Sequence, residues 1–359
     1  MMGDAMPDRS NTRRDFLKPT RAGDDRCADS TGVPVGGNTV RVATRAMACE
    51  FSVIMNPGSH EHVSTVGDVL EMVHEIEGWL SVYKPNSEIS QTNLHAAMSP
   101  FKLRPALYDL LKTAQGLHQQ TDRAFDIAAG AQVRLWRDCR AEQRIPTAEE
   151  LDAVLARSGS HHFELNDEAS TVTFGIDGLQ LDPGAIGKGF ALDEAAAWLN
   201  KAEDGPKSYL VHGGQSSLVA RGQHNNESGW PVGVGNPLFT KKRLGTVLLR
   251  DQAMSTSGSN IQFFRHEGRR YGHILDPRTA MPVEGMLSVT VLADSAAVAD
   301  ALSTAFFVLG VENARMCCDN LPNVGAILVP FPESGKRVTP TVIGVPFDQI
   351  FWDKEQVTV

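Results

Sequence analysis

The sequence lacks any paired-cysteine pattern. Its five cysteines, Cys27, Cys49, Cys139, Cys317 and Cys318, are odd in number, scattered and without a C-x-x-C, so neither a disulfide framework nor a zinc site is legible. Adjacent Cys317 and Cys318 are expected as reduced, partly buried thiols near a helix end. There is no G-x-S-x-G elbow, no H-E-x-x-H pair and no Walker A loop, which excludes three large enzyme groups. No segment is read as approaching the ~20 apolar residues of a membrane span. No internal repeat or heptad run occurs. A surplus of positive charge is also missing: 34 Lys+Arg face 43 Asp+Glu, a net charge of −9. Such a surface is a poor general partner for nucleic acid or anionic membrane. A bound nucleotide would need a local cation or backbone amides to offset its phosphates.

What is present suits a soluble globular protein with a sizeable core: 359 residues, 42% hydrophobic and 21% charged. Residues 1–38 are poor in large apolar side chains and rich in Asp, Arg, Gly and Pro, and are expected to be a disordered tail. Within it, Thr12-Arg13-Arg14-Asp15-Phe16-Leu17-Lys18 resembles a twin-arginine export motif, but a charged, turn-rich stretch follows where an apolar one is needed. The expected compartment is therefore the cytoplasm, with the periplasm as the alternative. Residues 39–359 are expected to form one unit.

Alternation over Thr39–Met55 predicts a first strand. Val66, Leu70, Val73, Ile76 and Leu80 predict a helix over 63–82, and Leu107, Leu110, Leu111, Ala114 and Leu117 another over 104–120. Pro146-Thr147 followed by Glu149-Glu150 predicts a third at 147–157. Short strands are expected at 162–165, 171–174 and 179–182, with His161 and His162 on opposite faces, then a helix at 190–199. Strands near 208–220, 230–234, 244–250, 261–264, 269–275, 286–293, 324–330 and 339–343 follow, interrupted by a helix at 296–309 that stops at Gly310. This mixed order predicts an α+β fold rather than a doubly wound sheet.

Four constellations carry chemistry. In Leu181–Asp193, LDPGAIGKGFALD, three glycines (Gly184, Gly187, Gly189) precede a helix, so backbone amides, the helix N-terminus and Lys188 can face a phosphate; a purely structural turn fits equally. On the helix Asp294–Gly310, Asp300 and Thr304 share one face among small apolar neighbours. They read either as two oxygen ligands for a hard cation or as an internal hydrogen bond. Ser255–Ser259 reads as a hydroxyl-rich turn, and His273 through Arg278 as an anion grip or proton relay, or else a β-turn with an internal Asp276–Arg278 pair. His212-Gly213-Gly214-Gln215 permits close backbone approach. Trp79, Trp136 and Trp198 read as core or rim aromatics.

In order, LDPGAIGKG, HGGQ, STSG, HILDPRT and VADALSTAFFVLG resemble the ApbE family of FAD:protein FMN transferases over about residues 40–345. The resemblance implies an ApbE-like, T-fold-like architecture of largely antiparallel sheets flanked by helices. It implies Mg²⁺ held by the carbonyl of Ala185 and the side chains of Asp300 and Thr304. It implies FAD, as substrate, contacted by Met47, Tyr83, Ala124, Phe125, Asp126, Asp182, Lys188, His273 and Ile274, with Asn93 facing the reaction centre. His273 and Asp300 are the candidate bases. The implied reaction moves FMN to a Thr or Ser hydroxyl of an acceptor protein, for example a redox or respiratory-complex subunit, and releases AMP. FAD pyrophosphatase activity and non-catalytic flavin binding are the alternatives. The chain departs from the family pattern at Ala48-Cys49, where Gly-Thr is usual, at Gln215, where Asp or a similar polar residue is usual, at Ala280, where Gly is usual, and in 128–133, which lacks a Pro.

Overall fold

The computed structural model describes residues 38–259, 263–332, 335 and 337–357. The expectations for the tail, its twin-arginine-like motif included, lie outside the described residues, apart from Asn38.

Eight strands form the main sheet: β1 (Val40–Ala46), β2 (Cys49–Met55), β3 (Tyr209–Gly213), β4 (Ser217–Arg221), β5 (Ala253–Gly258), β6 (Met286–Ala293), β7 (Gly325–Pro330) and β8 (Thr341–Ile343). Their spatial order equals their chain order, and each neighbouring pair is antiparallel. Both faces of the sheet are covered. Phe51, Val53, Val211, Val219, Val289, Val291 and Leu328 point into a core shared with the helices. The alternate residues Leu210, Leu218, Met254, Leu292 and Ile327 point into a second core under a three-stranded sheet, Trp230–Gly235, Arg243–Leu249 and Ile350–Trp352. A strand covered on both faces loses its polar alternation, which is why β6 reads MLSVTVLA and is buried throughout.

The helices are α1 (Val63–Leu80), α2 (Glu88–His95), α3 (Pro105–Gln120), α4 (Gly130–Ala141), α5 (Ala148–Leu155), α6 (Gly187–Lys201) and α7 (Ala296–Asn320). The five apolar residues that predict α1 and the five that predict α3 are all buried. At the start of α5, Thr147 and Glu150 form a capping box, each side chain bonding the other's backbone N–H. The observed architecture is the expected α+β one.

Several expectations are corrected. The first strand is a hairpin, because Met47 and Ala48 turn the chain with φ of 49° and 60°. Residues 179–182 belong to no strand. His161 and His162 lie in a 3-10 turn, their rings 3.9 Å apart, instead of on opposite faces of a strand. Residues 253–258 are strand β5, where a turn from Ser255 is expected. Helices α2 and α4 escape the apolar-spacing criterion because α2 is short and α4 buries Gln132 with Trp136 and Cys139. Finally, Gly310 (φ 73°, ψ −176°) breaks α7 as expected of a terminator, but a second helical segment resumes beyond it. Helix α7 is long and apolar enough to cross a membrane. It packs instead against β5 and β6, broken at Gly310 and carrying buried Asp300 and Ser303.

Candidate active site at a crossing of two helices

The glycine-rich stretch begins as an extended segment whose peptides are held from the side. Asn93 Nδ2 donates to Leu181 O (2.9 Å) and Leu181 N–H donates to Asn93 Oδ1 (2.8 Å). Asp182 N–H donates to Ile127 O (2.7 Å), and Gly130 N–H to Gln180 O (3.0 Å), joining this segment to the 124–130 loop. Asp182 accepts from Gly184 N–H at 2.8 Å and so caps the one-turn helix Pro183–Ala185. Burial pushes the Asp182 carboxyl up, while the Gly184 N–H and the Arg137 charge pull it down. The turn Pro183–Ala185 packs against α7, and α6 starts two residues later.

Helices α6 and α7 then cross at Gly189. A Cβ on Gly189 would sit 2.1 Å from Ala296 O and 2.6 Å from Ala297 N, so any larger residue would force the helices apart. At this crossing each helix caps the other. Asp193 of α6 accepts from the N–H groups of Ala296 (2.7 Å) and Ala297 (2.9 Å) and from Ser295 Oγ (2.7 Å) at the start of α7. Asp300 of α7, 5% exposed, accepts from Gly189 N–H at 3.1 Å, near the start of α6. Orphan N–H groups at helix N-termini favour such carboxylates.

The rest of the Asp300 carboxylate is filled from β4, β5 and α6. Ser217 Oγ (2.9 Å) and Ser255 Oγ (2.8 Å) both donate to Oδ1, while Lys188 Nζ stands 3.5 Å from Oδ2. Two residues along β5, on the same face, Ser257 Oγ lies 2.8 Å from Ser303 Oγ and 3.2 Å from Thr304 Oγ1. The STSG stretch is thus a strand with a hydroxyl-bearing inner face, which hides it from an apolar-alternation test.

The hairpin tip also reaches this place. Met47 N–H donates to Glu77 Oε1 at 3.1 Å. Cys49 lies against Gly214 of the HGGQ turn, 3.2 Å from where a Gly214 Cβ would be. Burial raises the Cys49 thiol; the nearby Lys188 charge lowers it and Asp300 raises it further. Asp182, Ala185, Lys188, Asp300, Thr304 and the turn after Met47 therefore converge from three separate stretches of chain.

The other expected contact residues have the following local partners. Tyr83 is 73% exposed, with the Arg137 guanidinium 5.3 Å from its ring centroid. Ala124 and Phe125 are buried. Asp126 accepts from Ala128 N–H (2.8 Å), Ser160 Oγ (2.6 Å) and Ser160 N–H (3.1 Å) and lies 3.2 Å from His118 Nδ1. His273 is exposed and Ile274 buried, the Ile274 carbonyl accepting from Val283 N–H (2.9 Å). Arg278 grips Asp276 with two bonds of 2.9 Å, the internal pair of a β-turn. Asn93 is committed to the Leu181 peptide, a clamp on the backbone next to Asp182. Sequence reading missed Ser217 and Arg137, and it named Ser257 and Asp193 within motifs without assigning them a role. Their only sequence signal is proximity to motifs, since hydroxyls and a half-exposed arginine leave no periodic trace.

Comparisons with known proteins give the chain a family and a fold. The family model described as "ApbE family" matches residues 46–328. The FAD:protein FMN transferase of Escherichia coli (strain K12) is 32% identical over 242 residues, 66% of this chain and 68% of that protein. The FAD:protein FMN transferase of Vibrio cholerae serotype O1 is 31% identical over 275 residues, 75% of this chain and 80% of that one. Among solved structures, the ApbE protein of Thermotoga maritima superposes with a TM-score of 0.73 at 27% identity, covering 82% of this chain and 94% of that one.

Proposed function

This chain belongs to the ApbE family, and from that premise we propose that it acts as an FAD:protein FMN transferase. FAD is its substrate and a protein receives the FMN. The finer reading is that a Thr or Ser hydroxyl of the acceptor attacks the phosphorus on the FMN side of the pyrophosphate, and AMP leaves.

The donor chemistry of the crossing fits Mg²⁺. Gly189 N–H, four residues beyond Ala185, donates to Asp300, and the turn Pro183–Ala185 packs against α7, which supports assigning the Ala185 carbonyl as an oxygen ligand together with the Asp300 carboxylate and the Thr304 hydroxyl. Among the described residues no three His, Cys, Asp or Glu side chains gather as a metal cluster. A hard cation with few protein oxygens, completed by phosphates and water, suits such a place. When bound it neutralises pyrophosphate oxygens and stabilises the charge that develops on transfer.

The chain's own groups do the rest. With the N–H groups of Gly184, Ile186 and Gly189 bonded within the fold, the amides of Ala185, Gly187 and Lys188 at the start of α6 are assigned to phosphate oxygens, and the Lys188 side chain adds a charge. Ser217 and Ser255 fix the Asp300 carboxylate from behind. Ser217, Ser255 and Gly189 fix Asp300 in place and only the distant Lys188 ammonium can give way to a cation, so Asp300 is assigned as a ligand and exposed His273 as the group that takes the acceptor's proton. Asn93 holds the Leu181 peptide and thereby the Asp182 turn. Tyr83 and Arg137 present an exposed aromatic and a cation at the edge. The acceptor assigned is a redox or respiratory-complex subunit.

The observation that carries this reading is the Asp300 carboxylate at the helix crossing, tied to Gly189, Ser217 and Ser255 and beside Lys188. The test incubates the protein with FAD, Mg²⁺ and an acceptor bearing a Thr/Ser flavinylation motif, followed by a denaturing gel. A fluorescent acceptor band, lost with EDTA, is expected. AMP release without an acceptor and without a band would show hydrolysis instead.

A further inference from the structure

On the far side of the 124–130 loop lies a cavity of about 470 Å³ lined by Gln115, His118, Gln119, Asp122, Arg123, Ser160, His161 and Phe163. None of these residues belongs to the helix crossing or to the dinucleotide contacts named above. Arg123 carries a positive charge, His118 can carry one, and burial followed by His162 pushes the His161 imidazole down, toward its neutral donor form.

His118 is the built element. Its side chain is 8% exposed, and its Nδ1 faces Phe125 O (3.1 Å) and Asp126 Oδ2 (3.2 Å), the latter side chain 5% exposed. That pairing puts the proton on Nδ1, and Nε2 has no partner among the described residues. Burial by itself would lower the His118 pKa, but the Asp126 hydrogen bond and charge outweigh it and raise the imidazole overall. Asp126, although buried, is held low by His118, Ser160 and the Ala128 N–H. The pair thus favours an imidazolium with one N–H left over for the cavity it lines.

Arg123 is the second element. It follows Asp122 in a turn where both residues are left-handed, with φ of 48° and 62°. For residues other than glycine this conformation costs about 1 kcal/mol. Its guanidinium makes no hydrogen bond or ion pair among the described residues, yet its charge is felt by both His118 and His161. The His161 ring is seated over Gly159, a position where a Cβ would come within 2.4 Å of it. The carboxylate in the lining, Asp122, faces Arg278 at 3.6 Å. An uncommitted arginine, the Nε2–H of a buried imidazolium whose charge Asp126 offsets, and a second histidine whose charged form is disfavoured by burial and by His162 together form a receptor for an oxyanion.

We propose that this cavity binds a phosphate group, at a site separate from the helix crossing. Its volume exceeds that of one phosphate, so the group is either inorganic phosphate or the phosphate of a small monoester.

The test titrates the full-length protein, saturated with FAD, with inorganic phosphate and in a second arm with glycerol 3-phosphate. Histidine ring ¹⁵N NMR signals are followed. A saturable shift of the His118 Nε2 resonance is expected in at least one arm. Phosphate alone would mark a free anion, and tighter binding of the ester a phosphorylated small molecule. Arg123→Gln should weaken binding about tenfold, the size of one lost charge-assisted contact. Arg123→Gly should weaken binding while raising Tm, because glycine relaxes the left-handed turn. Arg123→Lys should restore part of the affinity. Absence of saturation in both arms, or binding undiminished in Arg123→Gln, overturns the proposal. FAD retention, measured in parallel, keeps this result apart from the fate of the transferase reading.

Discussion

Asp193 and Asp300 meet at one helix crossing and do the same local job. Each sits on one helix and accepts N–H groups at the start of the other. They differ in what else surrounds them. The remaining donor to Asp193 is Ser295, which is itself the N-cap of α7. Around Asp300 the remaining donors are two serines from the sheet and the Lys188 ammonium, which at 3.5 Å is its most distant partner. One carboxylate is closed off by its fold. The other is braced on three sides and turned toward a mobile cation. Buried carboxylates are therefore not equivalent evidence of chemistry: the donors that cannot move show structure, and the one that can shows use.

This contrast is sharpened by substitution. Asp300→Ala should reduce FMN transfer to background and remove the Mg²⁺ dependence of FAD binding. Asp300→Asn, which still accepts from the serines, should do the same while keeping the fold, as read by urea unfolding. Activity within a few fold of wild type would break the comparison. Next in size, Gly189→Ala drives a Cβ into the α7 backbone and should cost ~3 kcal/mol or more of stability. A smaller loss would mean the crossing is looser than the 2.1 Å approach implies. Lys188→Ala should weaken FAD binding by ~1.5–3 kcal/mol, or about ten- to hundredfold by fluorescence titration, leaving Tm nearly unchanged. The smallest effect is expected for Asp193→Ala: ~1–2 kcal/mol of stability from lost capping, with turnover per folded molecule preserved. If that variant folds but does not turn over, the two carboxylates share the chemistry and the distinction fails.

Much of this was legible in the chain. The inner faces of α1 and α3 and strand β6 follow from apolar spacing, because those elements bury ordinary hydrocarbon. Motif order points to Asp182, Lys188, Asp300 and Thr304 together. What stayed hidden is what apolar periodicity cannot encode. Ser255 and Ser257 face inward from a strand and bond to α7, so their hydroxyls look like a turn in sequence. Helix α4 buries Gln132, whose Nε2 donates to Pro277 O (2.9 Å), and so reads as polar surface. Gly189 matters through one backbone contact 107 residues ahead, at Ala296, and nothing local announces it.

The chain-order sheet has a consequence for how the molecule assembles. Most neighbouring strands are joined by short or moderate connections, yet β2 and β3, bonded side by side, are separated by residues 56–208, which contain six of the seven α-helices among the described residues. Contacts of wide sequence separation form slowly, so the ribbon from β3 to β7 should zip up first and the β1–β2 hairpin join it last. Pulse-labelled hydrogen exchange during refolding would show this as late protection of the amides that bridge β2 and β3, relative to Val289 and Val291. The Met47 turn would then reach the lysine and carboxylate only in the final step, making the cleft the last part of the protein to mature.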